Sequence, residues 1–244
     1  MAKLLLKEVA ILLVARFDSI QRLENALIVS VLLCEKINAN VYLWEFDSYN
    51  TGLYERLKPQ NVSYKFITDD DLIFHRTRHL NEMIEQVDKK YVTIWDIDVI
   101  APINQIYHSV KFLEDGADFV YPYNHFFLDT SEELRYEFIR TKDISLLEQH
   151  KIFMNELYPP NPVGGAFFAN TFSYIKCGKE NEQFYGWGIE DGERYSRWIC
   201  NKMNIKRVDG PLFHLSHPRG LNSNTFNEED SLIKHRIRLS TNSK

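Results

Sequence analysis

The sequence predicts an α/β fold with a mostly parallel central sheet flanked by helices. Two observations carry this expectation. First, Val9–Ala15 and Tyr91–Trp95 are short runs of β-branched, aromatic and other apolar residues. Such runs are typical of strands covered on both faces, as in parallel sheets. Second, the first half of the chain alternates strand and helix patterns in the order strand, helix, strand, strand, helix, strand. That order suits crossover connections between parallel strands. A third observation narrows the class. The chain contains neither GxGxxG nor GxxxxGK[ST], which sets aside an ordinary dinucleotide fold or a P-loop.

Taken in order, residues 8–15 read as a buried strand, followed by a helix from about Ile20 to Lys36 with Asp18 or Ser19 as its N-cap. Residues 41–46 and 62–67 read as the second and third strands. A helix opened by Asp69-Asp70-Asp71 runs to about Val87, and the next strand ends in Asp96-Ile97-Asp98 before Pro102. The second half is less regular. Residues 117–123 suggest a strand, and 131–140 a helix entered through a capping box at Thr130. Residues 141–160 look partly helical. A Gly-led strand over 163–169 precedes a short helix, Thr171 to Cys177, ended by Gly178. Glu190 opens a further helix to about Met203, and the polar tail has a helical patch around Ser231 to Leu239. The expected organisation is one domain over 1–244, with a nucleotide-binding half to about 102, an acceptor and catalytic half over about 103–222, and a polar tail over 223–244.

Composition excludes several functions. With 44% hydrophobic and 26% charged residues, the 244-residue chain can bury a sizeable core. A net charge of -5 argues against nucleic acid as a partner. Three widely spaced cysteines, with no CxxC pair, suggest a reduced, cytoplasmic protein. The apolar run near the N-terminus is too short to span a bilayer and lacks a small-residue cleavage site after it. Membrane contact is therefore expected to be peripheral at most, with the inner membrane face as the place of work.

Four stretches carry polar chemistry. Asp96 and Asp98 follow a buried strand, where ligands of open α/β sheets collect. On an extended chain they would point the same way, and their mutual repulsion is relieved by a hard cation with oxygen ligands. Asp-x-Asp also occurs in ordinary turns, capping nearby N–H groups. Trp187 lies between Gly186 and Gly188, beside Glu190 and Asp191. Acids in a first helical turn complement the helix dipole. An indole beside two carboxylates also suits a sugar ring. His214 and His217 could share a transition metal such as Mn²⁺ only if the chain bends between them. The run Phe74-His75-Arg76-Thr77-Arg78-His79 reads either as a solvated basic face or as a phosphate and base contact.

The order Phe74-His75-Arg76, Asp96-Ile97-Asp98, Gly164-Gly165, Gly186-Trp187-Gly188-Ile189-Glu190-Asp191, His214…His217 resembles the animal β-1,4-galactosyltransferases and related bacterial chondroitin-type and capsule glycosyltransferases. The resemblance spans about residues 8–220 and implies the GT-A fold. It also implies a Mn²⁺ site (Mg²⁺ being the alternative ion) with Asp98 and His217 as ligands. His214 stands where the family often has Met as a further metal ligand, so the implied ligand set is Asp98, His214 and His217, and His in that place strengthens Mn²⁺ binding. Arg16, Phe74, Arg76 and Asp96 fall at nucleotide-binding positions, although the motif around Arg16 lacks the family's usual Pro. Glu190 and Trp187 match substrate contacts, with Gly164 and Gly165 placed at the same site, and Asp191 matches the catalytic base.

The resulting expectation is an inverting, metal-dependent glycosyltransferase. It would move a hexose or N-acetylhexosamine from a UDP-sugar donor to a hydroxyl of a glycan or glycolipid acceptor. Two rivals stand beside it: a metal-dependent hydrolase of a sugar nucleotide, and a non-catalytic carbohydrate- or nucleotide-binding protein.

Overall fold

Apolar residues without alternation need cover on both faces, and the computed structural model supplies it. It describes residues 6–37, 39–220, 222 and 228–241. Strand β1 (Val9–Ala15) is buried along its whole length and lies inside a seven-stranded sheet. It pairs in parallel with β2 (Asn40–Asp47) on one side and β4 (Tyr91–Trp95) on the other. Beyond β2 lies β3 (Val62–Thr68), also parallel. Beyond β4 one strand runs against all the others. Strand β9 (Ala166–Asn170) is antiparallel to both β4 and β6 (Phe119–Tyr121), and β10 (Ile205–Arg207) then pairs in parallel with β6 at the edge.

A smaller four-stranded sheet carries much of the functional geometry. Its order is β5 (Val99–Ile100), β11 (Leu212–His214), β7 (Phe127–Asp129) and β8 (Asn155–Glu156). In its register His214 lies opposite Val99 on one side and Asp129 on the other.

Helix α1 (Ile20–Val31) starts at Ser19, whose hydroxyl accepts the Arg22 N–H at 3.3 Å. It continues into a π-helical stretch, Leu32–Lys36. Helix α2 (Leu53–Leu57) is a short turn. Helix α3 (Arg76–Ile84) starts later than the three aspartates suggest. Those acids serve other partners. Asp69 holds Arg16 at 2.8 Å and His79 at 3.0 Å, and the Asp71 carboxylate accepts the Ile73 N–H. The backbone of 69–75 therefore stays non-helical.

Helix α4 (Ile103–Glu114) has no counterpart in the sequence reading. Its start is Pro102, which offers no side-chain cap, so the usual Ser, Asp or Asn signal is missing. Helix α5 (Glu132–Thr141) is capped by Ser131 rather than through the expected box at Thr130. The Thr130 hydroxyl instead accepts the Ser216 N–H at 3.1 Å. Next come α6 (Ile144–His150), α7 (Thr171–Lys176) and α8 (Glu190–Cys200). Of the polar tail, 223–227 and 242–244 lie outside the described residues. The remainder forms α9 (Glu228–Thr241), which packs against α8. Among the described residues no helix is long and apolar enough to cross a membrane.

Candidate active site

A cavity of about 430 Å³ opens where the two sheets meet. The turn after β4 forms its floor. Trp95 ends that strand, and its indole N–H closes on the Val99 carbonyl at 3.0 Å. The chain reverses between them, so residues 96–98 are a turn and not the extended segment expected from the sequence. The two aspartates consequently serve different partners. Asp96 pairs with Arg76, and Asp98 faces the histidines.

Asp98, His214 and His217 offer ligand atoms that all lie within 4.8 Å of one another. The bend required between the histidines is present, because β11 ends at His214 and the chain leaves the sheet. The Leu215 N–H donates to the Asp98 carbonyl at 2.7 Å, which locks the two segments together. The outer nitrogens fix the tautomers. His214 Nδ1 meets Asp129 at 2.7 Å, and His217 Nδ1 meets the Pro218 carbonyl at 2.9 Å. Each Nδ1–H is thus spent on an acceptor, and each Nε2 lone pair points to Asp98, at 3.9 Å for His214 and 3.2 Å for His217. This is how histidine is oriented for metal ligation. Burial alone would raise the Asp98 carboxyl; when the rings are protonated, the hydrogen bond that His217 then donates and the positive charge of both rings hold it well below the usual range. Two imidazoles and one carboxylate suit a first-row transition ion such as Mn²⁺.

Phe74 and Arg76 line the same cavity. Phe74 is largely buried against Phe46 and His79. Among the described residues one terminal nitrogen of Arg76 is buried without a hydrogen-bond partner, so this guanidinium keeps a donor in reserve beyond Asp96. Arg16 is not brought to the cavity. It lies behind Phe74, with its guanidinium 5.4 Å from that ring, and its donors go to Asp69, the Phe46 carbonyl and the Asp71 carbonyl. The rest of the basic run divides. Arg78 pairs with Glu82 at the surface, while His79 is fully buried and pushed down to about 4, mainly by desolvation.

Glu190 and Asp191 sit in the first turn of α8, facing the cavity. Gly186, Gly188 and Ile189 all have positive φ, of 74°, 110° and 71°. Only the glycines take this conformation freely, so Ile189 is a strained link that aims the acids. Glu190 is buried, and among the described residues one of its oxygens has no partner. Burial and the neighbouring Asp191 push its carboxyl up to about 7. Asp191 is instead tied to Arg194, which is itself buried and bonded to Glu180 at 2.9 Å. Gly164 presses on this pair: a Cβ there would lie 2.6 Å from an Asp191 oxygen. Gly165, at φ 79°, would likewise clash with Leu212, and its carbonyl accepts the Asp96 N–H at 2.8 Å.

Trp187 also lines the cavity, half-buried, with the Arg219 guanidinium 5.7 Å from its ring. One face is therefore less open than two flanking glycines suggested.

Several residues of the site were not found from the sequence. Arg194 had a signal, since it stands three residues after Asp191 on a helix. Asp129 and Arg238 had none, because both reach the site from elements distant in the chain.

The family described as the N-terminal domain of galactosyltransferase matches residues 155–219, the segment from β8 through the Trp187 loop to His217. The xylosylprotein 4-beta-galactosyltransferase of Caenorhabditis elegans is 23% identical over 184 residues, which cover 73% of this chain. The match spans 54% of that relative, so the chain corresponds to about half of its length. The catalytic domain of Drosophila beta1,4-galactosyltransferase 7, solved with xylobiose, superposes with a TM-score of 0.56 at 13% identity, covering 93% of this chain and 79% of that one. Glucosyl-3-phosphoglycerate synthase from Mycobacterium tuberculosis, solved with Mn²⁺, uridine diphosphate and phosphoglyceric acid, superposes with a TM-score of 0.54 at 13% identity, covering 96% and 76%. The architecture and these superpositions show that the chain has the GT-A fold, and residues 155–219 are similar to the galactosyltransferase domain.

Proposed function

We propose that this protein is an inverting, metal-dependent glycosyltransferase that moves a hexose or N-acetylhexosamine from a UDP-sugar to a hydroxyl of a glycan or glycolipid. One observation carries the reading: a single cavity joins the Asp98–His214–His217 cluster to the Glu190–Asp191 pair, with Arg76 and Phe74 also on its wall. The Mn²⁺ and uridine diphosphate of the mycobacterial synthase are consistent with it.

In this mechanism Phe74 seats the base and Arg76 gives its spare donor to the diphosphate, a charge-assisted contact. A divalent cation held by Asp98, His214 and His217 would neutralise charge that builds on the leaving diphosphate. Trp187 offers its indole to a sugar ring. Asp191, fixed by Arg194, accepts the proton of the attacking hydroxyl. Glu190, protonated over part of the neutral range, donates a hydrogen bond to a sugar hydroxyl or accepts one. Two acids whose surroundings differ in this way suit two different roles. Attack on the face opposite the leaving group inverts the anomeric centre.

Asp191→Asn tests the assignment. Product formation from UDP-sugar and acceptor should fall by about a thousandfold or more, at the upper part of the range for general-base loss. UDP affinity, read by calorimetry, should stay within about threefold. Wild-type turnover in this variant would remove Asp191 from the role of base. Equal UDP-sugar cleavage with and without acceptor in the parent enzyme would favour hydrolysis over transfer.

A further inference from the structure

Helix α9 stands outside the roles assigned so far, yet it reaches the cavity. Lys234, only 1% exposed, donates from Nζ to the Trp187 carbonyl at 2.8 Å. One turn further on, Arg238 lines the cavity and lies over Gly192, the residue after Asp191. A Cβ at position 192 would stand 3.3 Å from the guanidinium carbon, so the missing side chain lets the guanidinium settle on the first turn of α8.

The charge balance at that place is incomplete. Among the described residues no carboxylate is paired with Arg238, although four line the same cavity. Three of the four have cationic or imidazole partners: Asp96 has Arg76, Asp98 has His217 and Asp191 has Arg194. Glu193, also in that first turn, is bonded to Arg197. A cation over the first turn of a helix also lies against the helix dipole, which favours negative charge there. An anion placed at Arg238 would satisfy both the guanidinium and the helix end.

We propose that Arg238 gives the site an anion seat on its acceptor side, so that the preferred acceptor is a sugar carrying a carboxylate or a phosphate near the reacting hydroxyl. This deepens the transferase reading and rests on it for the identity of the acceptor side. The guanidinium fork matches either anion in a bidentate pair. Lys234 and the Trp187 loop hold the helix, so the seat is carried by a docked element.

The test uses the full chain with UDP and Mn²⁺ present. Binding of a methyl hexoside, the corresponding uronic acid and the corresponding 6-phosphate is measured by calorimetry on wild type, Arg238→Met and Arg238→Glu. The anionic sugars should bind wild type about tenfold more tightly than the neutral one, the size of one charge-assisted hydrogen bond. Arg238→Met should bring that ratio close to one, and Arg238→Glu should invert it. Whichever anion binds more tightly identifies the group that is read. Equal binding of all three sugars to wild type overturns the proposal, as does a preference that survives both substitutions. A rise in the UDP-sugar KM with the acceptor ratio intact would also overturn it, placing Arg238 on the donor. Product formation is followed in the same preparations. Absence of product with every acceptor counts against the transferase reading, whereas the anion preference is read from binding alone.

Discussion

Glu190 shows how one side chain can link stability to function. Its carboxyl is raised from an ordinary 4.5 to about 7 by burial and by Asp191. Between those values the folded protein keeps a proton that the unfolded chain releases. The stabilising share of this group is therefore whole below about pH 4.5 and is lost as pH climbs through 7. Replacing the acid by an amide removes that loss. Glu190→Gln should raise the melting temperature relative to wild type by several degrees at pH 8 and by much less at pH 5, since the shift is worth on the order of 3 kcal/mol at most. A difference that is flat with pH would mean that Glu190 titrates normally. Gly164 makes a complementary point about geometry. Its missing Cβ is the space that an Asp191 oxygen occupies, 2.6 Å from where the methyl would be. Gly164→Ala should therefore displace the carboxylate and lower kcat by about a hundredfold, as small misplacements of reacting groups do. Circular dichroism and melting temperature should stay near those of the parent. An active Gly164→Ala enzyme would show that the carboxylate has room to move.

At the scale of elements, the two sheets divide the labour. The larger one supplies the core. Leu12 and Leu13 on β1 have no solvent exposure, whereas Ile205 on the edge strand β10 is only partly covered. Leu13→Ala should cost about 2–5 kcal/mol in urea melts, and Ile205→Ala less than half of that. Similar costs at the two positions would contradict the view of β1 as the centre of the molecule. The smaller sheet supplies the register that sets His214 between Val99 and Asp129. The sequence reading found most of the elements of the larger sheet, because long buried runs announce themselves. It missed the smaller sheet almost entirely. Strands of two or three residues have no periodicity to read, and their pairing joins segments far apart in the chain, as Phe213 with Ile100 and Leu212 with Phe127. Helix α4 was missed for a local reason, since Pro102 gives no capping signal.

For the whole molecule, the cavity joins residues from both halves of the chain, so ligand binding should couple to global stability. A ligand present at about a hundred times its dissociation constant adds about 2.7 kcal/mol. UDP with Mn²⁺ should thus raise the melting temperature by very roughly 5–10 °C. The rise should vanish with a chelator and in Asp98→Ala. A nucleotide-dependent rise that persists in Asp98→Ala would remove Asp98 from the metal site.

The sequence by itself determined the class of fold, the order of the main strands and helices, and the residue types of the site. These follow from patterns carried within short windows: buried runs, caps, glycines beside an aromatic, acids at a helix start. It also named eleven residues that line one cavity: Phe74, Arg76, Asp96, Asp98, Gly164, Gly165, Trp187, Glu190, Asp191, His214 and His217. Only the tertiary structure decided how these residues are partnered. It turned Asp96 toward Arg76 and Asp98 toward two imidazoles, placed Arg16 behind Phe74, locked Asp191 with Arg194, and brought Arg238 from the far end of the chain. The physical reason is range. Backbone propensity and patterning act between near neighbours in sequence, whereas ion pairs, tautomers and pKa shifts depend on charges and desolvation set by segments that meet only on folding.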